Sequence, residues 1–265
     1  MKTILKEFNI DNQTLRGLEV KSEVKSDKII VCLPGFGRSA VSEKKFKCLS
    51  DLLKIESIPS LRIDYLGNGI SDGEFKQTTV KNLVYQAKLI LNTLKDEGYK
   101  NISVVAHSLS GCVVSNLIES GYLFEKIILI APALNQKVLQ RYWFTQKLMS
   151  PQKIEINILN YTQYFDESLF LNEMNRDGKM TKNEYINKDY FLENMNKKYS
   201  DILINQNTKN QIMMIQGLKD ASVPFETQDF KPENLILIEN GDHDLERPDL
   251  RSEWTQKAIK FLINK

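Results

Sequence analysis

Ser108, Asp220 and His243 are the residues of this chain whose types and order best fit nucleophilic acyl transfer. Each follows a short apolar run that is typical of a buried strand, at residues 102–105, 212–215 and 235–238. A serine hydroxyl becomes a strong nucleophile when a neighbouring base takes its proton. The sequence contains two histidines, and His107 directly precedes Ser108, where its ring is expected to point away. His243 is therefore the predicted base.

Asp220 is the predicted carboxylate that orients His243, a role that this chemistry requires. It lies in the turn that follows the apolar run Ile212-Met213-Met214-Ile215. The alternative is an acid after the preceding apolar run, Ile127-Ile128-Leu129-Ile130, but residues 131–135 contain no carboxylate. The order serine, aspartate, histidine also differs from the orders in chymotrypsin-like and subtilisin-like enzymes.

The segment Ala106-His107-Ser108-Leu109-Ser110-Gly111 fits a nucleophile elbow of the form G-x-S-x-G. Such an elbow is a sharp turn between a strand and a helix, so the residues flanking the serine must be small. Ala106 and Ser110 stand in the two glycine places. In the simpler alternative, Ser108 only caps the helix predicted at residues 111–119, which is a common function of serine.

Phe36 and Leu109 are the predicted backbone donors of an oxyanion hole. Acyl transfer needs N–H groups directed at the developing negative charge. One donor is the residue after the nucleophile, and the other lies in a loop after an earlier strand. Residues 28–33 form that strand in the prediction, and they lead into Pro34-Gly35-Phe36-Gly37. The alternative for this tetrapeptide is an ordinary turn.

Strands alternate with helices along most of the chain, which predicts a mostly parallel sheet flanked by helices. Two opening strands are expected at residues 3–10 and 14–24, and a final helix at residues 251–264. Ligands of such sheets bind outside the carboxyl ends of the strands. All the candidate site residues follow strands and are therefore expected at that edge.

Residues 136–210 are too long for a single crossover and are predicted to form a helical cap, or lid, inserted into the core. The core would then comprise residues 1–135 and 211–265. The insertion is rich in aromatic residues, most of which are expected to pack inside the cap. Trp143 and Val223 are the predicted substrate contacts. Asp177-Gly178-Lys179 is predicted to be a turn without calcium-loop spacing.

The composition is that of a globular chain: 265 residues, 42% hydrophobic and 26% charged, with a net charge of +2. No strong field favours nucleic acid, and the lysines are expected on a solvated surface. No apolar run is long enough for stable membrane insertion. The three cysteines lack metal-ligand spacing, so no metal is expected. Their odd number and the absence of a recognisable signal peptide favour a cytoplasmic protein. The chemistry of Ser108, Asp220 and His243 requires no cofactor. The assembly is expected to be a monomer or a homodimer.

Three stretches carry a family resemblance. They are the elbow, residues 217–224 and the run Asp64-Tyr65-Leu66-Gly67-Asn68-Gly69-Ile70-Ser71-Asp72-Gly73. The chain resembles the α/β-hydrolase superfamily, and within it the cinnamoyl/feruloyl esterase-like and serine-aminopeptidase-like group. The similarity covers most of residues 28–130 and 211–262. Pro34, Ala106, Leu109 and Ser110 depart from the usual pattern of that group, and none of them removes a catalytic group.

The expected function is a serine hydrolase that cleaves small carboxylic esters through an acyl-enzyme. A thioesterase or an acyltransferase is the alternative that uses the same machinery, and small amides also remain open. A non-catalytic binding protein with the same fold is the alternative from a different class. Such proteins usually lose a member of the triad, whereas all three residues are present here.

Overall fold

A computed structural model describes residues 1–181, 184–205 and 212–264 of the chain. The strands of its central sheet are β1 (Lys2–Ile10), β2 (Gln13–Lys21), β3 (Lys28–Leu33), β4 (Ser60–Ile63), β5 (Asn101–His107), β6 (Ile127–Ile130), β9 (Ile212–Gly217) and β10 (Asn234–Ile238). A separate pair consists of β7 (Lys179–Thr181) and β8 (Glu184–Ile186). The helices longer than one turn are α1 (Lys44–Ile55), α2 (Val80–Asp96), α3 (Ser110–Glu119), α4 (Gln136–Met149), α5 (Glu167–Asn175), α6 (Lys188–Asn194), α7 (Ser200–Asn205) and α8 (Pro248–Ile263).

The central sheet has eight strands in the order β1-β2-β4-β3-β5-β6-β9-β10. The strands β1, β2 and β4 pair antiparallel, and every pairing from β4 to β10 is parallel. This arrangement confirms the predicted mostly parallel sheet. Because parallel strands run in one direction, β3, β5 and β9 end at the same edge, where Leu33, His107 and Gly217 lead into the site loops.

Helices cover both faces of the sheet, as the buried residues of β5 illustrate. Successive side chains of a strand point to opposite faces. Val104 packs in a cluster with Ile90 and Leu91 of α2, whereas Val105 packs in a second cluster with Trp254 of α8. Burial on both faces explains why Val104, Val105 and Ala106 follow one another without a polar residue between them.

Several element boundaries differ from those predicted. The strand β2 ends at Lys21 instead of residue 24, and α8 begins at Pro248 instead of residue 251. Proline at the first helical position loses no hydrogen bond, because that N–H has no partner within the helix. Pro248 therefore starts α8, and Leu250 in the same turn is buried. The N-terminus of α8 lies three residues earlier than expected.

The segment between β6 and β9 contains α4 to α7 and the β7–β8 pair. The two-stranded sheet is absent from the prediction, and Lys179, expected in a turn, begins β7. The predicted boundary between residues 210 and 211 lies outside the described residues, as do Lys182 and Asn183. Among the described helices, none combines the length and the apolar composition that a bilayer crossing requires.

Candidate active site

Ser108 lies in a strained turn between β5 and α3. Its φ is 53°, in the left-handed region that residues other than glycine rarely adopt. The turn is held by neighbouring strands, because the Ser108 N–H donates to the carbonyl of Ile130 at 2.9 Å. The Ser108 carbonyl accepts from the N–H of Ala133 at 3.1 Å. The N-cap residue of α3 is Leu109, and no side-chain hydrogen bond caps this helix. Ser108 is therefore not the helix cap.

Small residues allow the loop after β3 to approach this turn. A Cβ on Gly35 would lie 3.1 Å from the Cβ of Ser108 and 3.0 Å from Nδ1 of His107. Ser110, in the second glycine place of the elbow, is fully buried, and its hydroxyl donates to the carbonyl of Pro34. The serine therefore replaces glycine and adds a bond that ties the elbow to the predicted oxyanion loop.

Asp220 is held by hydrogen bonds to both of its carboxylate oxygens. Oδ1 accepts from the N–H groups of Ser222 at 2.9 Å and Val223 at 2.7 Å. Oδ2 accepts from Nε2 of Gln216 at 3.1 Å and lies 2.8 Å from Nδ1 of His243. These four contacts fix the orientation of the buried carboxylate. The sequence does not indicate the contribution of Gln216.

His243 connects Asp220 to Ser108. Its Nδ1 faces the carboxylate, and its Nε2 lies 3.0 Å from Oγ of Ser108. The loops that carry Asp220 and His243 touch where Gly217 meets Gly241, since a Cβ on Gly217 would lie 2.3 Å from the carbonyl oxygen of Gly241. The structure thus brings the three predicted residues into one hydrogen-bonded chain.

His107 packs against His243, a contact that no pattern in the sequence indicates. The two ring centroids are 4.9 Å apart, and Nε2 of His107 lies 3.1 Å from the backbone carbonyl of His243. Burial lowers the pKa of His107 well below its usual value, so the ring is neutral. A carbonyl can only accept, so the proton is on Nε2 and is donated to His243. His107 therefore supports the backbone of the candidate base.

A buried charged cluster lies behind His107. Its Nδ1 is 3.6 Å from Oε1 of Glu43, which also accepts from Nζ of Lys45 at 2.8 Å. Lys45 lies 3.4 Å from Glu246 as well. The side chain of Lys45 is fully buried, which corrects the expectation that the lysines lie on a solvated surface. Pairing with two carboxylates explains how this charge is tolerated.

Within the described part of the chain, one cluster of potential metal ligands is present, formed by Glu43, His107 and Asp244. Their ligand atoms lie within 4.8 Å of one another. Two cations already occupy this region, because Lys45 pairs with Glu43 and Arg38 forms two 2.7 Å bonds to Asp244. These pairs neutralise both carboxylates, so the donor set fits an ion-pair network better than a metal centre.

A cavity of about 570 Å³ opens beside Ser108 and His243. Phe36, Leu109, Trp143 and Val223, the other predicted site residues, also line it. Nε1 of Trp143 donates to the carbonyl of Ser222 at 2.6 Å, which fixes the indole beside the turn of Asp220. The structure therefore places every predicted site residue in this cavity or, for Asp220, directly behind it.

Residues between β6 and β9 supply much of the cavity wall, including polar groups that no sequence motif indicates. Among them are Gln140, Lys147, Glu173 and Lys179. The Oε1 atom of Gln140 is buried and accepts no hydrogen bond from the described residues. No local sequence pattern could have identified these residues, because they come from three separate elements.

Asp64 and its glycine-rich stretch are structural. The carboxylate accepts from the hydroxyl of Ser39 at 2.8 Å and from the N–H of Ile70 at 3.1 Å. A Cβ on Gly69 would lie 1.9 Å from Oδ2 of Asp64, so this position requires glycine. Asp64 thereby ties the loop after β3 to the loop after β4. It does not line the cavity.

No protein-family model and no curated protein matches the sequence. Solved structures of similar architecture include Est1E from Butyrivibrio proteoclasticus, determined with ferulic acid bound. It gives a TM-score of 0.70 at 15% identity, over 98% of this chain and 100% of that chain. Alpha/beta hydrolase domain-containing protein 10 from mouse gives 0.63 at 18% identity, over 98% of each chain.

An esterase of Pyrococcus furiosus gives a TM-score of 0.60 at 20% identity, over 98% of this chain and 89% of that chain. These identities are too low to transfer a substrate, but the superpositions extend over almost the whole chain. Together with the mostly parallel sheet, they confirm the fold that the sequence predicts. The chain therefore has the α/β-hydrolase fold.

Proposed function

We propose that this protein is a serine hydrolase that cleaves carboxylic esters. The observation that carries the proposal is the hydrogen-bonded chain from Ser108 through His243 to Asp220, with the serine facing a cavity. A serine used only for structure does not need a histidine at 3.0 Å or a strained backbone. Strained residues cluster at functional sites, where the surrounding structure maintains them.

In the proposed mechanism, Nε2 of His243 takes the proton of Ser108 as Oγ attacks the ester carbonyl. Asp220 orients the imidazole and stabilises the imidazolium that forms. The backbone N–H groups of Phe36 and Leu109 stabilise the oxyanion. His243 then gives its proton to the departing alcohol. A water molecule deprotonated by His243 hydrolyses the acyl-enzyme, which releases the acid and regenerates Ser108.

The insertion is proposed to be a cap that selects the substrate. This proposal is supported by the contributions of Trp143, Phe144 and Phe191 to the cavity wall, all of which come from residues 136–205. Aromatic side chains offer large apolar contact areas with few rotatable bonds. An apolar acyl or aryl portion of the ester therefore fits this wall.

Ser108→Ala is the experiment that tests the proposed hydrolase. It should lower kcat on aryl esters by about 10⁶-fold, the usual cost of removing a triad nucleophile. It should also abolish labelling by a fluorophosphonate probe. Ser120→Ala is a matched control, since Ser120 follows the end of α3 and does not line the cavity. Near wild-type turnover in Ser108→Ala would exclude the mechanism.

The same experiment separates the alternatives. A non-catalytic binding protein predicts neither labelling of Ser108 nor turnover of any ester. Thioesters and esters react through the same acyl-enzyme, so a panel of both donors, with water or added alcohol as the acceptor, distinguishes hydrolysis from acyl transfer.

A further inference from the structure

One lysine in the cavity differs from the other charged residues that line it. Arg38 is paired with Asp244 at 2.7 Å, and Lys147 with Glu173 at 3.6 Å. Among the carboxylates whose side chains the structure describes, none lies within 4.0 Å of Nζ of Lys179. The charges of the lining therefore balance except for one ammonium group.

The side chain of Lys179 is almost fully buried, with 3% of its surface exposed. Its Nζ lies 3.8 Å from the ring centroid of Phe191 and 3.9 Å from the sulfur of Met174. Both neighbours are neutral. Lysine is almost never fully buried unless it is paired. Lys45 illustrates the usual solution, because its buried ammonium contacts two carboxylates.

The electrostatic surroundings leave Lys179 charged at neutral pH. Burial lowers its pKa to about 8. The charged groups that act on it come from α4, α5 and the segment that follows α5, namely Lys147, Glu173, Arg176 and Asp177. Glu173 is shared with Lys147 and Arg176, at 3.6 and 3.3 Å. The carboxylate that helps Lys179 most is therefore already engaged by two other cations.

We propose that Lys179 binds a carboxylate of the substrate, so that the preferred esters carry a second, anionic group in addition to the ester bond. This inference rests on the proposed function, because Lys179 and Ser108 line one cavity. A single ammonium matches one negative charge. A dianionic phosphate would leave an uncompensated charge beside the aromatic wall, which is costly in an apolar site. A carboxylate is therefore favoured over a phosphate.

The test compares esters that differ only in this anionic group. Para-nitrophenyl monoesters of linear dicarboxylic acids, from adipate upward, are paired with fatty acyl esters of the same chain length. A second series places the carboxylate on the alcohol side, as acetyl esters of carboxyphenols against acetyl esters of the parent phenols. The two series distinguish an acyl-side carboxylate from an alcohol-side carboxylate.

Lys179→Met removes the charge and keeps a flexible side chain of similar length. It should lower kcat/KM for the anionic esters of one series by roughly 10- to 150-fold, the range for losing a hydrogen bond to a charged group. The readout is the ratio of kcat/KM for each anionic ester to that for its neutral partner, which cancels any effect of the substitution that both esters share. Lys137→Met is the matched control, because Lys137 is exposed on α4 and lies outside the cavity lining. It should leave both kinds of ester unchanged.

A pH series gives an independent measurement. The ratio of kcat/KM for an anionic ester to that for its neutral partner removes the titration of the catalytic base, which both substrates share. Since kcat/KM reports the ionisation of the free enzyme, this ratio should fall as the pH rises through about 8. In Lys179→Met the ratio should be independent of pH over the same range.

An equal ratio in the wild type and Lys179→Met would overturn the proposal for Lys179 while leaving the hydrolase intact. Absence of turnover on every ester, together with absence of fluorophosphonate labelling, would instead overturn the proposed function. In that case, calorimetric binding of adipate monomethyl ester to the wild type and to Lys179→Met still tests the lysine. Equal affinity of the two proteins would overturn the inference.

Discussion

Replacement of Asp220 by asparagine is expected to inactivate the protein without unfolding it. The asparagine has one acceptor oxygen where the aspartate has two. Oδ1 of Asp220 accepts two backbone N–H groups, at 2.9 and 2.7 Å. If the amide nitrogen of asparagine took that position, three donors would face one another. The asparagine oxygen is therefore expected to stay with the two backbone donors, and its NH₂ group to face His243 and Nε2 of Gln216. The clash with Gln216 is the smaller one, because that side chain can shift and still donate to the carbonyls of Gly217 and Val223.

This orientation forces the wrong tautomer on His243. An NH₂ group can only donate, so Nδ1 of His243 must become an acceptor and the ring proton must move to Nε2. Nε2 then presents a hydrogen to Oγ of Ser108, 3.0 Å away, and cannot take the serine proton. The corresponding change in a serine protease lowers kcat by about 10⁴-fold. At 1.36 kcal/mol per tenfold change, this is about 5.4 kcal/mol of transition-state stabilisation.

The assay is kcat on a neutral aryl ester, with thermal unfolding measured on the same preparations. Asp242→Asn is the matched control, since Oδ1 of Asp242 accepts from the N–H of Leu245 at 2.8 Å and asparagine can keep that bond. The control should retain its turnover. If Asp220→Asn kept kcat within about tenfold of the wild type, Asp220 would not be the orienting acid. Equal losses in both variants would indicate disruption of the loops instead.

Three further predictions concern the residues around this chain. His243→Gln should lose nearly all ester turnover. His107→Gln should keep most of it, because the glutamine amide can still donate to the carbonyl of His243. The reverse result would overturn the assignment of the base. Trp143→Ala should change the ratio of kcat/KM for long against short acyl esters by roughly 10- to 200-fold, the effect of a substrate contact worth ~1–3 kcal/mol. A constant ratio with a lower Tm would identify Trp143 as a packing residue, and Trp143→Phe serves as the control that keeps an aromatic wall. Gly217→Ala should lower the free energy of unfolding by about 1–3 kcal/mol and reduce kcat as well, because the new methyl group would meet the backbone of Gly241. An unchanged Tm and kcat would show that the loops carrying Asp220 and His243 can separate without consequence.

Local patterns were sufficient to predict much of the sheet. The strands around Val104, Ile128 and Met214 contain short apolar runs, and this pattern depends only on burial of both faces. The pattern was not sufficient for the β7–β8 pair, whose strands of three residues are too short to show a period. Such strands depend on contacts with distant residues, which local sequence does not describe. Directly after β8, for example, the N–H of Asn187 donates to the carbonyl of Lys76 at 3.1 Å.

The sequence by itself determined which residues could do chemistry and the edge of the sheet at which they lie. Ser108, Asp220 and His243 each follow a strand, and parallel strands end together, so their proximity follows from the order of elements. Only the tertiary structure decided which charges are buried and paired. Lys45 meets Glu246 across about two hundred residues of chain, and Lys179 lies against Phe191 in a cavity. Burial and pairing are properties of packing between distant elements, and the identity of a lysine and its neighbours in sequence does not specify them.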